Sequence, residues 1–503
     1  MSKPISHLLA TFVIAALPQV GAHASTHVAP TSNENEAPLL LSTDPGAERF
    51  RPVGKLSASS QCTATLIAGA HLPADSASAL VLTAGHCVGS FDTNKVLVNE
   101  AAPNNWTFTP AYFVDNGPQH RSFAVRRIAY ATMKNVDLAV LELGATYADL
   151  AAVDVYPMHL YATQPEPTAG IQVAHVPIQD IPVYERFLRL SNCHADTRRT
   201  IFESLYPWLW SEAVPNLCQG IRGGSSGSPV VLQNQNEVVG VINTTVDPSR
   251  NGCGLNRPCE LEGKAGLIRE GVSYYIPIDV IAQALTADSK LDLSKLDPGD
   301  GATLTRKLHA YWATQRTVDD GDGTRVPAPW NLTIGEESQQ VRYKTGLADR
   351  TSCAGIDGYG DTIDAAEQPL KNLAIPSAEG IYKICVIARQ AGQDKWQEPA
   401  YASFMLHQID NTPPVSTPRL RFDESDTFWI AYAEDDLYDV FTRTIKYGPL
   451  AETDCDDPEG FFTPSPIFPG VRLNKAEAPW RFCAKGFDIA GNVSPVVYQD
   501  FVN

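Results

Sequence analysis

Short apolar runs separated by turn residues are the feature that most limits the fold of this 503-residue chain. Such runs, rich in β-branched residues, predict strands. They cover Cys62–Ile67, Ala79–Thr83, Lys95–Val98, Phe123–Ile128, Leu138–Leu143, Ile171–Val176, Val230–Leu232 and Val238–Ile242. Short strands separated by turns favour an all-β barrel or sandwich over βαβ units. Residues Ile278–Leu285 have apolar positions at helical spacing, which predicts a closing helix.

The N-terminus has the pattern of a secretion signal. Lys3 supplies the positive charge, Leu8–Val20 an apolar core too short to span a bilayer comfortably, and Ala22–Ala24 a small-x-small cleavage site. We therefore expect residues 1–24 to be a signal peptide and the protein to be secreted, either periplasmic or extracellular. The polar, proline-rich residues 25–50 predict a propeptide or a flexible arm.

Charge and cysteine content exclude several classes of function. With 39 Lys and Arg against 57 Asp and Glu, the formal net charge is −18, and without a basic stripe nucleic acid is not an expected partner. An even number of cysteines in an exported chain favours disulfides over metal ligands, and CxxC and HExxH motifs are absent, so we expect no metal or cofactor. Sequence order suggests, without proving, neighbour pairing: Cys62–Cys87, Cys193–Cys218, Cys253–Cys259, Cys353–Cys385 and Cys455–Cys483.

The last part of the chain contains an internal repeat. Tyr343–Cys353 matches Tyr447–Cys455, and Tyr382–Gly392 matches Arg481–Gly491, so each copy has one cysteine after an early strand and one in a late strand. Alternating apolar residues in the later segment of the first copy predict a half-buried antiparallel strand.

Two β-sandwich modules, each with one disulfide, are the simplest interpretation of the repeat. The copies resemble bacterial immunoglobulin-like modules. We expect a linker over residues 291–328, a first C-terminal module over 329–412 and a second C-terminal module over 413–503. These modules would contact a surface or polymer substrate, or act only as spacers.

A candidate nucleophile lies in the glycine-serine stretch Gly223–Val230, which predicts a tight loop before a buried strand. Ser226 is the nucleophile in this interpretation, and the N–H groups of Gly224 and Ser226 are the oxyanion donors. His86 follows an apolar strand, and Asp137 begins another. Singly, these two residues fit an interior histidine and a strand-start cap. Together with Ser226 they favour nucleophilic catalysis, with Asp137 orienting His86.

Three segments are similar to the signature segments of the trypsin/chymotrypsin-like serine peptidases, in the same order: Thr83–Cys87, Asp137–Leu141 and Gly224–Pro229. The resemblance implies two six-stranded antiparallel barrels over residues 51–290, called here the peptidase segment, with the active site between them. It also implies a secreted endopeptidase that uses His86, Asp137 and Ser226 and an acyl-enzyme. Protein or peptide substrates are expected, without a cofactor, and we expect a monomer.

Two positions depart from the animal members of that family. Ser225 stands where they have an aspartate that pairs with a newly cut N-terminus, so we expect activity without a free N-terminal amine, as in secreted bacterial members. Gly220 stands where trypsin-like members have a pocket-floor aspartate. Gly220, Asn243 and Thr245 are the expected substrate-binding residues, and Glu270 is a further carboxylate that could approach the pocket. The primary specificity stays open.

Two other functions compete with this interpretation. An α/β-hydrolase esterase would need glycine two places on either side of Ser226 and the order serine, acid, histidine, but position 228 is serine. The alternative from another class is a secreted non-catalytic adhesin or binding protein on a protease scaffold, in which the C-terminal modules carry the function. The complete set of three candidate catalytic residues argues against it.

Overall fold

Strands form most of the regular structure in the computed structural model. The model describes residues 36–503, apart from 72, 90–92, 204–207, 234, 264, 307–312, 316, 317, 320–324, 327 and 437. Residues 1–24, which are predicted to be a signal peptide, therefore lie outside the described residues, and so does part of the predicted propeptide, up to residue 35. The expectation of an all-β chain is confirmed.

Seventeen strands of the peptidase segment belong to one continuous network of pairings. They are β1 Val53–Ser57, β2 Gln61–Ala68, β3 Ser78–Thr83, β4 Val96–Ala101, β5 Thr107–Pro110, β6 Phe123–Thr132, β7 Leu138–Thr146, β8 Met158–Leu160, β9 Gly170–His175, β10 Arg189–His194, β11 Arg199–Glu203, β12 Trp208–Asn216, β13 Pro229–Leu232, β14 Glu237–Thr245, β15 Cys259–Glu262, β16 Ala265–Leu267 and β17 Ser273–Pro277. The α-helices are α1 Tyr147–Ala151 and α2 Asp279–Ala284, the latter where the closing helix is expected.

The first half of this network closes into a six-stranded antiparallel barrel. The ring runs β1, β2, β3, β7, β6, β5 and back to β1, while β4 continues the edge of β6 beside β5. In the second half the order is β12, β17, β14, β13, β9 and β10. This second ring is completed only by a single bridge between Ala195 and Asn216. Most residues of these strands are buried, which fits their apolar sequences.

Residues 37–50 are not a loose arm, which corrects that interpretation of their composition. Ala37, Leu40, Ala47 and Phe50 are buried, and Ala47–Phe50 form a 3-10 helix. The Arg189 guanidinium donates to the Ala37 carbonyl at 2.7 Å. Scattered apolar side chains thus hold a polar, proline-rich segment on the peptidase segment.

The predicted linker is also packed rather than free over its first part. Leu296 is buried in the core of the peptidase segment, and Ala302 in the core of the first C-terminal module. The Lys134 ammonium meets the Asp297 carboxylate at 2.9 Å, and both side chains are buried. Leu296, Ala302 and the buried Lys134–Asp297 ion pair therefore connect the peptidase segment to the first C-terminal module.

The C-terminal half consists of small sheets. Its strands are β18 Leu304–Arg306, β19 Ala313–Gln315, β20 Val318–Asp319, β21 Arg325–Val326, β22 Leu332–Ile334, β23 Ser338–Leu347, β24 Ile363–Asp364, β25 Gly380–Gln390, β26 Ser403–Ile409, β27 Arg419–Glu424, β28 Phe428–Glu434, β29 Thr442–Pro449, β30 Val471–Asn474, β31 Trp480–Phe487 and β32 Val497–Phe501. In the first module β19, β26, β25, β23 and β24 form one sheet. In the second, the sheets β27-β28-β30 and β29-β31-β32 share one apolar core.

The first module packs directly on the peptidase segment. Phe202 and Leu209 from β11 and β12 form one apolar cluster with Ile381, Phe404 and Leu406 from β25 and β26. Strand β25 is consequently buried on both faces over most of its length, not half-buried as its alternation predicts. The predicted half-burial is wrong because the second face of the strand is covered by the other part of the chain.

Disulfides join the five cysteine pairs that neighbour each other in sequence: Cys62–Cys87, Cys193–Cys218, Cys253–Cys259, Cys353–Cys385 and Cys455–Cys483. They occur in both the peptidase segment and the repeat. Within the described part of the chain, no helix has the length and apolar character needed to cross a membrane.

Candidate active site

His86 is held in a 3-10 helix directly after β3. The backbone at Gly85 runs so close to β6 that a Cβ atom there would lie 2.2 Å from the Thr132 carbonyl oxygen, so only glycine fits. The disulfide between Cys62 and Cys87 fastens the same turn to β2. The residue before His86 and the residue after it therefore both fix its backbone.

Asp137 directly precedes β7 and holds His86 through both carboxylate oxygens. Its Oδ2 is 2.6 Å from His86 Nδ1, and its Oδ1 accepts from the His86 backbone N–H at 2.8 Å. The carboxylate is fully buried, whereas the imidazole is partly exposed. This geometry fixes the Nδ1–H tautomer and directs Nε2 away from Asp137. Nε2 makes no hydrogen bond to any described residue.

The pKa of His86 is raised above its usual value. Burial by itself lowers the pKa, but the charge of Asp137 and its hydrogen bond act in the opposite direction and prevail. A smaller contribution comes from the charge of Glu203. The imidazolium that forms when a histidine accepts a proton is thus stabilised at this position.

Ser226 lies in a loop with an unusual backbone. Gly224 has φ +99°, and a Cβ atom there would lie 2.8 Å from the Val176 carbonyl oxygen, so a side chain is excluded. Thr63 ties the loop to β2, because its Oγ1 donates to the Gly224 carbonyl and its N–H to the Ser226 carbonyl. The N–H groups of Gly224 and Ser226 have no hydrogen-bond acceptor among the described residues.

The Ser226 hydroxyl contacts β14 in this structure. Its Oγ donates to the Asn243 carbonyl at 3.4 Å, which is long for a hydrogen bond. The described side chains of Ser226 and His86 are not hydrogen-bonded to each other. Asn243 lines the same cleft as His86, and a Cβ atom at Gly227, the residue after Ser226, would lie 3.2 Å from the Ala84 nitrogen, two residues before His86. The Ser226 loop is therefore packed against the turn that carries His86, which is itself hydrogen-bonded to Asp137.

A buried polar chain behind Ser226 was not predicted from the sequence. His175 Nδ1 lies 2.9 Å from Ser225 Oγ, and its Nε2 lies 3.1 Å from Ser191 Oγ. The Ser191 hydroxyl in turn donates to the Gln219 carbonyl at 2.6 Å. Burial and the nearby Arg189 and Arg222 charges lower the pKa of His175 to about 3, so it is neutral. The Ser225 side chain is therefore held by a histidine of β9.

The three residues predicted to bind substrate have different contacts in the structure. Gly220 lies against Ala37 and His175, since a Cβ atom at Gly220 would be 2.9 Å from the Ala37 nitrogen. Thr245 Oγ1 is 3.0 Å from Ser273 Oγ, within the β14–β17 pair. Asn243 alone lines the cleft beside His86. Glu270 is exposed and forms an ion pair with Arg257.

The cleft beside His86 has a volume of about 350 Å³ and contains a carboxylate that the sequence did not reveal. Glu203, at the end of β11, is buried, and its Oε1 accepts from Thr244 Oγ1 at 2.7 Å. Burial raises the pKa of Glu203 to about 7, even though hydrogen bonds and the charge of His86 oppose the shift. No local motif marks Glu203, because the fold alone brings β11 next to His86.

Among the described residues, one group of side chains has potential metal-ligand atoms close to one another: Cys62, His86 and Cys87. The two sulfurs are joined as a disulfide, so they offer no thiolate to a metal. This group therefore does not provide a metal site.

A family model described as a trypsin-like peptidase domain matches residues 62–241, a span that includes His86, Asp137 and Ser226. No curated protein matches the chain.

Several solved structures are similar to the chain. The thermostable serine protease AL20 from an extremophilic microorganism is 18% identical, with 46% of this chain and 92% of that chain covered and a TM-score of 0.29. The protease Anisep from Arthrobacter nicotinovorans is 16% identical, with 45% of this chain and 90% of that chain covered and a TM-score of 0.29. The inactivated protease paralogue S-I1 of the scabies mite is 14% identical, with 48% of this chain and 94% of that chain covered and a TM-score of 0.33. The match to the family model shows that residues 62–241 are similar to the trypsin-like peptidase domain.

Proposed function

We propose that the protein is a secreted serine endopeptidase that hydrolyses peptide bonds through His86, Asp137 and Ser226. The observation that carries the proposal is the double hydrogen bond from His86 to the buried Asp137 carboxylate, next to the Ser226 loop. A histidine fixed in this tautomer, with Nε2 free, is suited to accept a proton from a nearby hydroxyl.

In the proposed reaction, the Ser226 hydroxyl leaves the Asn243 carbonyl and gives its proton to His86 Nε2 as its oxygen attacks the peptide carbonyl. The N–H groups of Gly224 and Ser226 stabilise the oxyanion. His86 then protonates the leaving amine, which departs, and an acyl-enzyme on Ser226 remains. Water, deprotonated by the same imidazole, releases the acid and regenerates the serine. The Asp137 side chain orients His86 and stabilises the imidazolium in both steps.

The Ser225–His175–Ser191 chain supports activity without a free N-terminal amine. Ser225 precedes the nucleophile, and its hydroxyl is already held by a neutral, buried histidine. The loop geometry needed for the oxyanion donors is therefore built from residues inside the chain. An N-terminal extension is expected to leave the activity intact.

Labelling with a fluorophosphonate, which reacts with activated serines, tests the proposal. The wild-type protein should bind one label per chain, and Ser226→Ala should bind none. A folded wild-type protein without label would favour the alternative, a secreted non-catalytic adhesin or binding protein on a protease scaffold.

A further inference from the structure

The cleft beside His86 has a one-sided electrostatic character. Glu203 is the only carboxylate among the described residues that line it, and these described lining residues include no lysine or arginine. Glu203 forms no ion pair with a described cation, although it is buried. A buried carboxylate without a cationic partner lacks the compensation that such a group normally has. A cationic group entering the cleft would supply it.

Aromatic rings form another part of the cleft. Trp208 and Trp210 both line it, with ring centroids 6.2 Å apart and planes inclined by 34°. Tryptophan faces attract ammonium and guanidinium groups and also pack well on the methylene groups of lysine and arginine. A long side chain with a terminal positive charge matches both the rings and Glu203.

Strand β14 leads from the candidate nucleophile to this cleft. β13 pairs with β14 only as far as Val241. Along Asn243–Thr245, β14 is therefore paired with β17 on one edge, and no described strand pairs with its other edge. Thr244 directs its hydroxyl to Glu203, whereas Thr245 directs its hydroxyl to Ser273. An extended peptide paired with the open edge would therefore place one of its side chains over Thr244, on the face where Glu203 lies.

We propose that this cleft binds a lysine or arginine side chain of the substrate, with Glu203 as its anionic partner. The inference rests on the proposed peptidase function. It assigns the preference for a basic residue to the face of β14 that carries Thr244, not to the surroundings of Gly220. The basic residue lies near the scissile bond because Asn243, next to Thr244, accepts from Ser226.

The test compares two peptides that differ at one position, lysine or norleucine, in the wild-type protein and in Glu203→Gln. The position is chosen by sequencing the products that the wild-type protein releases from a protein mixture. Glutamine keeps the oxygen that accepts from Thr244 but removes the charge. Glu212→Gln is the matched control, because Glu212 lies on the adjacent β12, is exposed, pairs with Arg198 at 2.6 Å and does not line the cleft.

We expect Glu203→Gln to lower kcat/KM for the lysine peptide by at least about tenfold while the norleucine peptide changes about twofold or less. Glu212→Gln should keep the wild-type ratio. An unchanged ratio of lysine to norleucine in Glu203→Gln, with both proteins fully labelled by fluorophosphonate, would overturn the inference and leave the proposed function standing. Absence of label in the folded wild-type protein would overturn the proposed function instead.

The wild-type protein provides a second test that does not depend on how well the variant folds. Its cleavage products should show lysine or arginine enriched at one position near the cut. Cleavage without such enrichment would overturn the inference.

Discussion

At the scale of single residues, the candidate site depends on how buried charges are balanced. Asp137 is paired with His86, and the pair raises the pKa of the histidine. Burial raises the pKa of Glu203 to about 7, because its hydrogen bonds and the charge of His86 offset only part of that effect. Two buried carboxylates near one imidazole thus have different environments. This difference fits an orienting role for Asp137 and a substrate-binding role for Glu203.

The raised pKa of His86 has a consequence for the pH dependence of activity. A histidine must be neutral to accept a proton, so activity should be lost as the pH falls through the pKa of His86. Because that pKa lies above the usual histidine value, we expect the acid limb of kcat/KM to have its midpoint above pH 6.5. Initial rates on a norleucine peptide, measured from pH 5 to 9, give this midpoint without a charged substrate. A midpoint at or below 6.5 would contradict the assignment.

At the scale of secondary-structure elements, strand β26 carries a buried histidine, His407. Neither of its ring nitrogens has a hydrogen-bond partner among the described residues, and its ring meets Trp330 edge-on at 5.9 Å. Burial, with a contribution from the charge of Arg306, lowers the pKa of His407 to about 3. The folded first module therefore holds this histidine neutral, while the unfolded chain protonates it below about pH 6.5.

Replacing this histidine should make the protein less sensitive to acid. A lowered pKa means that the stability linked to His407 is fully present above pH 6.5 and is lost as the pH falls towards 3. We expect His407→Phe to retain about 3 kcal/mol of the free energy of unfolding that the wild-type protein loses between pH 7 and pH 4. Urea unfolding at both pH values measures it. His71→Phe, at an exposed histidine, is the control. Equal acid losses in wild type and His407→Phe would refute the expectation.

At the scale of the whole molecule, the C-terminal modules support the walls of the cleft. Phe404 of the first module packs with Phe202 and Leu209, on the two strands that also carry Glu203 and Trp210. Tyr438 of the second module donates to the Leu255 carbonyl at 2.8 Å, and Leu255 also lines the cleft. Contacts of this kind go beyond what an inert spacer would need.

Phe404→Ala tests this coupling. Loss of a buried phenylalanine should lower the free energy of unfolding by about 3 kcal/mol or more. We also expect lower kcat/KM on small peptides, because the strands beneath the cleft lose their support. Thermal unfolding and peptide hydrolysis measure the two effects, with the exposed Phe468→Ala as control. If Phe404→Ala cleaved small peptides at the wild-type rate and lost activity only on large substrates, the prediction would be wrong. The modules would then act only as anchors for the substrate.

The parts of the fold and site that could be predicted are those encoded locally. Short apolar runs predict the strands, and His86, Asp137 and Ser226 each lie in a recognisable local segment. Glu203 and His175 have no such signal, because their environments arise from strands distant in sequence. The polar composition of residues 37–50 hides four buried side chains, and the alternation in β25 cannot reveal that its second face is covered.

Locating a fluorophosphonate adduct by mass spectrometry tests the central claim most directly. The account predicts one adduct per wild-type chain, on the peptide that contains Ser226, formed much more slowly in His86→Ala and absent in Ser226→Ala. The labelling rate should fall as the pH drops through the pKa of His86. An adduct on another residue, or a folded wild-type protein that takes no label, would contradict the account.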